Sequence, residues 1–305
     1  MKNKDFITIR DWPTEELNQI LAAARAMKAD PSKYSGRLEG KALAMILEKP
    51  SLRTRVSFDV GIHQLGGYSL HLTQSDINLG KRESVRDVAK NLERMVQGIM
   101  IRTFSHQKVE ELAAEARIPV INGLTDFCHP CQAMADYMTI LEVKGAVRGK
   151  KIAYVGDGNN VVHSLIFGAV RFGAHLVVAT PPGYAPDPSV TAWAMENAGS
   201  TGSEIETTHD PVAAANNADV IYTDVWTSMG FEAEAEKRRR DFINYQVNEE
   251  LVRHARPDYI FMHCLPAHRG EEVVDSVIDS ANSVVFRQAE NRLHAQKAIL
   301  WALMG

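Results

Sequence analysis

Three cysteines in 305 residues, an odd number, cannot knit a disulfide framework through a chain of this size. Cys128, Cys131 and Cys264 therefore point to a reducing compartment, most simply the cytoplasm. Charge of one sign is scarce too. The 34 Lys and Arg against 38 Asp and Glu leave a formal net charge of −4, and without a basic excess nucleic acid is a poor partner. Long apolar runs are missing. Ala42 to Leu47 is among the longest, far short of the ~20 residues a membrane span requires, so no membrane partner is expected. The amino-terminal stretch MKNKDFITIRDW is basic but has no apolar centre, and does not read as a secretory signal. Internal repeats and low-complexity linkers are absent from the pattern. What is present is ordinary: 45% apolar and 24% charged residues, enough to build a buried core. At about 150 residues per domain, the length suggests two domains or one large α/β domain.

Short apolar runs alternate with amphipathic stretches. Strands are expected at Ala42–Leu47, Tyr68–Leu72, Gly98–Arg102, Pro119–Asn122, Lys151–Val155, His175–Thr180, Asp219–Thr223, Tyr259–His263 and Ser283–Phe286. Between them lie helical patterns. Thr14 is placed to cap a helix in which Leu17, Ile20, Leu21 and Ala24 share a face. Others are expected after Ser51, after Ser84, at Val109–Ala116, about Gln132–Val143, at Val161–Phe172, at Val190–Asn197 and from Ala289 to the end. Strand alternating with helix predicts an α/β protein with parallel sheets flanked by helices, and GAVRGK at 145–150 is the best boundary between two halves. The run EAEAEKRRRD at 232–241 balances acid and base and reads as a solvated helix face.

Polar residues collect where strands end, which is where open α/β sheets bind ligands. After the first strand comes Ser51-Leu52-Arg53-Thr54-Arg55, at a helix start. Free backbone N–H groups there favour an anion, and two guanidinium forks suit phosphate oxygens. Arg102-Thr103 follows Gly98–Ile101 directly. Cys128-His129-Pro130-Cys131-Gln132 holds a C-x-x-C spacing, and His263-Cys264 would make a four-ligand metal set arithmetically possible. A redox pair and two small buried thiols are the other readings. Gly156-Asp157-Gly158-Asn159-Asn160 is half a dinucleotide fingerprint. Val161 stands in place of the third glycine, and no acid follows near 20 residues on. Asp224-Val225-Trp226-Thr227-Ser228-Met229-Gly230 and His263-Cys264-Leu265-Pro266 follow two more apolar strands, and Asp76–Ser84 is a charged loop.

SLRTR, HPCQ, DVWTSMG and HCLP, in this order and spacing, resemble the aspartate/ornithine carbamoyltransferase family. S-x-R-T-R is common to both branches, while D-x-W-x-S-M-G and H-C-L-P are signals of the ornithine branch. The resemblance covers almost the whole chain. It implies two domains, 1–146 for carbamoyl phosphate and 147–288 for ornithine, with the carboxy-terminal helix 289–305 packing back on the first. It implies that Ser51, Leu52 (through its backbone), Arg53, Thr54 and Arg55 bind the phosphate. Arg102, His129, Pro130 and Gln132, with Cys264, Leu265 and Arg292, surround the carbamoyl group. Asn160, Asp224, Ser228 and Met229 hold the amino acid. Asn78 stands where glutamine is common, one methylene shorter. The same resemblance implies homotrimers or multiples of them, with loop 76–84 reaching toward an interface. The implied activity is carbamoyl transfer to the side-chain amine of L-ornithine in arginine metabolism, with Arg102, His129, Asp224 and Cys264 as the catalytic set. No metal and no organic cofactor enters. A related transferase with another acceptor, a non-catalytic binding protein on the same fold and a nucleotide-dependent dehydrogenase are the competing readings. The S-M-G loop, the full motif set and the broken glycine pattern speak against them in turn.

Overall fold

The computed structural model describes residues 4–305. The chain divides into two compact units, one running to Met138 and taking in Glu290–Gly305, the other spanning Thr139–Ala289.

The first unit is built on a four-stranded, all-parallel sheet. Its strands are β1 (Ala42–Leu47), β2 (Tyr68–Thr73), β3 (Gly98–Arg102) and β4 (Val120–Leu124), in the order β2-β1-β3-β4. The continuous apolar runs of β1 and β3 belong in the middle, where helices cover both faces. Every residue of β3 is buried, and so is all of β1 except the half-buried Leu47. β2 alternates exposed and half-buried side chains, as an edge strand does. The order reverses between β1 and β3, and the chain leaves those two strands into the segments holding Ser51 and Thr103. The last helix, Val285–Met304, packs on this unit. Lys28 Nζ donates to Asn291 at 2.7 Å, Trp301 meets Tyr34 edge-on at 6.0 Å, and Lys297 Nζ donates to Gln64 at 2.9 Å. Gly98 opens β3 because a Cβ there would sit 2.8 Å from the Met304 sulfur.

The second unit is a five-stranded parallel sheet of β5 (Lys151–Val155), β6 (His175–Ala179), β7 (Ile205–Thr208), β8 (Val220–Thr223) and β9 (Ile260–His263), ordered β7-β6-β5-β8-β9. Here the reversal lies between β5 and β8, in a register that sets Tyr154 opposite Tyr222. The helix Asn160–Phe172 is buried over nearly its whole length. One face of the sheet is closed by Trp226, Phe242 and Tyr245, with Phe242 stacked on Trp226 at 5.9 Å.

Several sequence expectations need correction. β7 was not anticipated. Its sequence, IETT, has one apolar side chain, and as an edge strand it needs no more. Ser283–Phe286 is not a strand. Ser283 makes a single bridge to Phe261, and Val285 already begins the last helix. Thr14 is the first residue of its helix rather than its cap, a position held by Pro13. The loop after β2 contains a helical turn, Gln74–Ile77, closed by a Thr73/Asp76 capping box. The 232–241 run is solvated except for Arg238, which is buried.

Candidate active site

In the first unit, Ser51 is the N-cap of the helix Leu52–Gln64 and its hydroxyl accepts the Thr54 N–H at 3.2 Å. That fixes a helix start whose remaining backbone donors have no partner within the helix. Arg53 is half-buried and Arg55 exposed, whereas Thr54 is completely buried. Thr54 Oγ1 accepts from Arg292 Nη2 at 3.2 Å, and Arg292 Nη1 donates to Gln132 Oε1 at 2.5 Å. Gln132 Nε2 in turn donates to Asp136 Oδ1 at 2.8 Å. The carboxy-terminal helix thus supplies the guanidinium that ties the start of the SLRTR helix to the helix Pro130–Lys144. A buried arginine is tolerable here because its hydrogen-bonding groups meet acceptors.

His129 lies just before that helix and is buried. Burial pushes its imidazole well below the usual histidine range, and the charges of Arg292, Arg102, Arg53 and Lys49 push in the same direction. His129 is therefore neutral at physiological pH. Arg102 ends β3 and is buried as well. Lys49 was not singled out in the sequence. It is buried, paired with Asp126, with its ammonium 4.0 Å from the centre of the Phe104 ring. The unit thus gathers four cations around one neutral imidazole, an anion-binding environment. Asn78 is the left-handed C-cap of the 74–77 turn, and no hydrogen bond joins its side chain to residues 51–55 among the described residues. Leu52 is 72% exposed.

The C-x-x-C motif is two buried thiols. Burial raises the Cys128 thiol far out of the ionising range and pushes Cys131 up to about 12. Cys131 Sγ donates to Asn122 O at 3.3 Å, and Asn122 Nδ2 donates to Cys128 Sγ at 3.2 Å.

In the second unit, Asp224 follows β8 and is buried. Cys264, just after β9, donates its thiol to Asp224 Oδ1 at 2.9 Å. The other carboxylate oxygen accepts from Asn159 Nδ2 at 2.8 Å. Asn159 caps the helix Asn160–Phe172 through its Oδ1, so one amide orders the helix start and the carboxylate together. Gly158 is required there because a Cβ would come within 2.4 Å of the backbone at Ala185. The sequence marks Asn159 only as part of the Gly156–Asn160 turn, neither as a cap nor as a partner of Asp224. Asn160 is half-buried beside it, and Ser228 and Met229 sit on the loop after Trp226, with Met229 exposed. Leu265 takes φ +58° and precedes a cis proline. Its N–H donates to His263 Nδ1 at 2.8 Å, so the proton of this imidazole sits on Nε2 and faces Glu272 Oε1 at 3.1 Å. Asp224, His263 and Cys264 bring potential ligand atoms within 4.8 Å of one another. Both His263 nitrogens are already engaged inside the protein, which argues against the trio as a metal centre.

Two parallel sheets, an anion-binding helix start in one unit and a carboxylate–thiol–amide cluster in the other define a two-domain group-transfer enzyme. Residues 4–142 match the carbamoyl-phosphate-binding domain of the aspartate/ornithine carbamoyltransferases, and residues 148–303 match their aspartate/ornithine-binding domain. The chain belongs to the aspartate/ornithine carbamoyltransferase family. It is 60% identical to the ornithine carbamoyltransferase of Thermococcus kodakarensis over 307 residues, covering 100% of this chain and 98% of that one. It is 56% identical to the anabolic ornithine carbamoyltransferase of Pyrococcus furiosus, again covering 100% and 98%. The solved structure of the ornithine carbamoyltransferase from Pyrococcus furiosus matches with a TM-score of 0.96 over 99% of this chain and 97% of that one. The ornithine transcarbamoylase of Giardia lamblia, at 33% identity, still matches at 0.91 over 100% and 99%.

Proposed function

We propose that the chain transfers the carbamoyl group of carbamoyl phosphate to the side-chain amine of L-ornithine, giving L-citrulline and phosphate, in arginine biosynthesis. The observation that carries the acceptor is the Cys264–Asp224–Asn159 cluster. A carboxylate, a thiol and an amide suit a side chain that ends in an amine. An aspartate side chain would bring a second negative charge to Asp224 and be repelled. On the donor side, the start of the helix 52–64 with Arg53 and Arg55 suits a phosphate dianion.

The amine attacks the carbonyl carbon itself, so no covalent nucleophile is needed. Three tasks fall to the protein. Arg53, Arg55 and the helix N-terminus stabilise the departing phosphate. Arg102, His129 and Thr54 stabilise charge growing on the carbonyl oxygen. The neutral state of His129 makes it an N–H donor there rather than a proton source. Loss of one such donor costs roughly 10²–10³ in rate. The amine must also be free base. With a lysine-like pKa near ~10.4, little of it is at neutral pH. Asp224 and Cys264 are the groups proposed to position it and help remove its proton.

In this reading residues 1–146 with 289–305 take carbamoyl phosphate and 147–288 take ornithine. The catalytic unit is a homotrimer or a multiple of one. A reduced Cys264, hydrogen-bonded to Asp224, supports a cytoplasmic setting. The purified protein should form citrulline from carbamoyl phosphate and ornithine with no added metal, and aspartate should be a very poor acceptor. Loss of activity in EDTA, or clear preference for putrescine or aspartate, would overturn the reading.

A further inference from the structure

Arg238 lies in the run of acid and base that otherwise faces solvent, yet only 7% of it is exposed. Its Nη1 donates to Asp157 Oδ2 at 2.8 Å and to the Trp226 carbonyl at 2.9 Å, and its Nε donates to Glu234 at 3.1 Å. The rings of Tyr184 and Phe231 lie 5.1 Å from the guanidinium carbon, enclosing it in a partly aromatic sleeve. The partners are telling. Asp157 belongs to the turn that presents Asn159 and Asn160. Trp226 and Phe231 bracket the loop that presents Ser228 and Met229. Asn159 is hydrogen-bonded to Asp224, two residues before Trp226, so the contacts close a ring: Asp157, Asn159, Asp224, Trp226, Arg238.

We propose that Arg238 is a positioning residue for the amino-acid substrate, a clamp that sets the 226–231 loop against the 156–160 turn. The role rests on the reading of this unit as the ornithine-binding part. Arg238 itself touches no reacting atom in this account. The planar fork is what the position demands, because one nitrogen serves a carboxylate and a carbonyl while another serves a second carboxylate. Lysine offers charge without that geometry. Burial raises the Asp157 carboxyl to about 6 even though Arg238 pulls it down, so Asp157 depends on its partner to stay ionised.

The test is steady-state kinetics of Arg238→Gln, Arg238→Lys and Asp157→Asn in the full-length protein, with thermal unfolding as a check on folding. In Arg238→Gln, the KM for ornithine should rise at least tenfold while kcat falls only a few-fold and the KM for carbamoyl phosphate stays within twofold. Arg238→Lys should recover part of the loss. The double variant Arg238→Gln/Asp157→Asn should be little worse than either single change, because both break the same contact. Equal ornithine KM values in Arg238→Gln and the parent, or equal rises for both substrates, would overturn the clamp. An inactive parent would instead sink the functional reading. The clamp then answers to limited proteolysis, with faster cleavage of Arg238→Gln than of the parent between 226 and 241 as its signature and equal cleavage as its refutation.

Discussion

The proposed chemistry rests on a few side chains whose environments oppose one another. Cys264 and Asp224 share a hydrogen bond of 2.9 Å on the amine side. If the thiol helps place or deprotonate the amine, Cys264→Ala should lower turnover by up to the worth of a charged hydrogen bond, about 1.5–3 kcal/mol. It should also move the pH midpoint and leave carbamoyl phosphate affinity nearly unchanged. A pH–rate profile superimposable on the parent's in height and midpoint would retire the thiol. His129 makes a different prediction, about stability. Its folded-state pKa lies below the unfolded value near ~6.5, so the unfolded chain binds the extra proton first. Stability is therefore intact above ~6.5 and is lost as pH falls below it, by at most about 1.4 kcal/mol per pH unit. His129→Asn should flatten that slope in urea unfolding between pH 7 and 5. His106, also held low chiefly by burial, adds slope of the same sign, while Asp157, raised to about 6, adds slope of the opposite sign, so the test is the difference between variant and parent. An unchanged slope would mean that His129 takes up its proton equally in the native and unfolded states, and that burial does not hold its pKa down. Ser51, Arg53, Arg102, His129 and Asp224 were legible in the sequence because each is a polar residue at a strand end, where an α/β sheet places its ligands. Lys49 and Arg238 were not. Each sits in a segment whose composition suggests solvent, and only tertiary packing buries it.

At the scale of elements, sequence reading succeeds where periodicity is driven by burial on both faces. β1, β3 and β5 are short apolar runs and were found with their exact or nearly exact ends. It misses one edge strand, β7, while finding the other three, β2, β4 and β9. β7 carries too few apolar residues to show a pattern, and the start of the last helix borrows the apolar look of a strand at Ser283–Phe286. In the proposed reading donor binding turns on the helix 52–64, whose cap is a single hydroxyl. Ser51→Ala should cost about 1 kcal/mol of stability through the lost cap. Because the same hydroxyl orders the N–H groups proposed to meet the phosphate, the change should also weaken carbamoyl phosphate binding while leaving ornithine affinity alone. Unfolding curves paired with substrate titrations separate the two effects. A stability loss with no change in carbamoyl phosphate affinity would detach the cap from the ligand.

The whole molecule must do something with the apolar surface of its first unit. Leu52, Val56 and Val60 recur every four residues along one helix with exposures of 72, 49 and 38%. That spacing makes a single stripe facing outward. Tyr68 and Leu70, 52 and 44% exposed, share one face of the edge strand β2. Exposed apolar residues in a stripe mark an interface, and an edge strand left bare is a liability. Because the stripe begins at Leu52, in the turn proposed to bind phosphate, the surface that would join copies adjoins the proposed donor site. Closed rings of identical chains are the ordinary way to cover such a face. With the stoichiometry of the proposed homotrimer, sedimentation should give a mass of three times 33.8 kDa, or a multiple of it. Introducing charge with Val56→Glu and Leu70→Glu together should dissociate the assembly, since two desolvated carboxylates would have to be buried without partners. Neither residue belongs to the proposed substrate contacts, so activity lost on dissociation would trace to assembly rather than to chemistry. A parent that sediments as a fully active 33.8 kDa monomer would leave the stripe without a role in catalysis and remove the trimer.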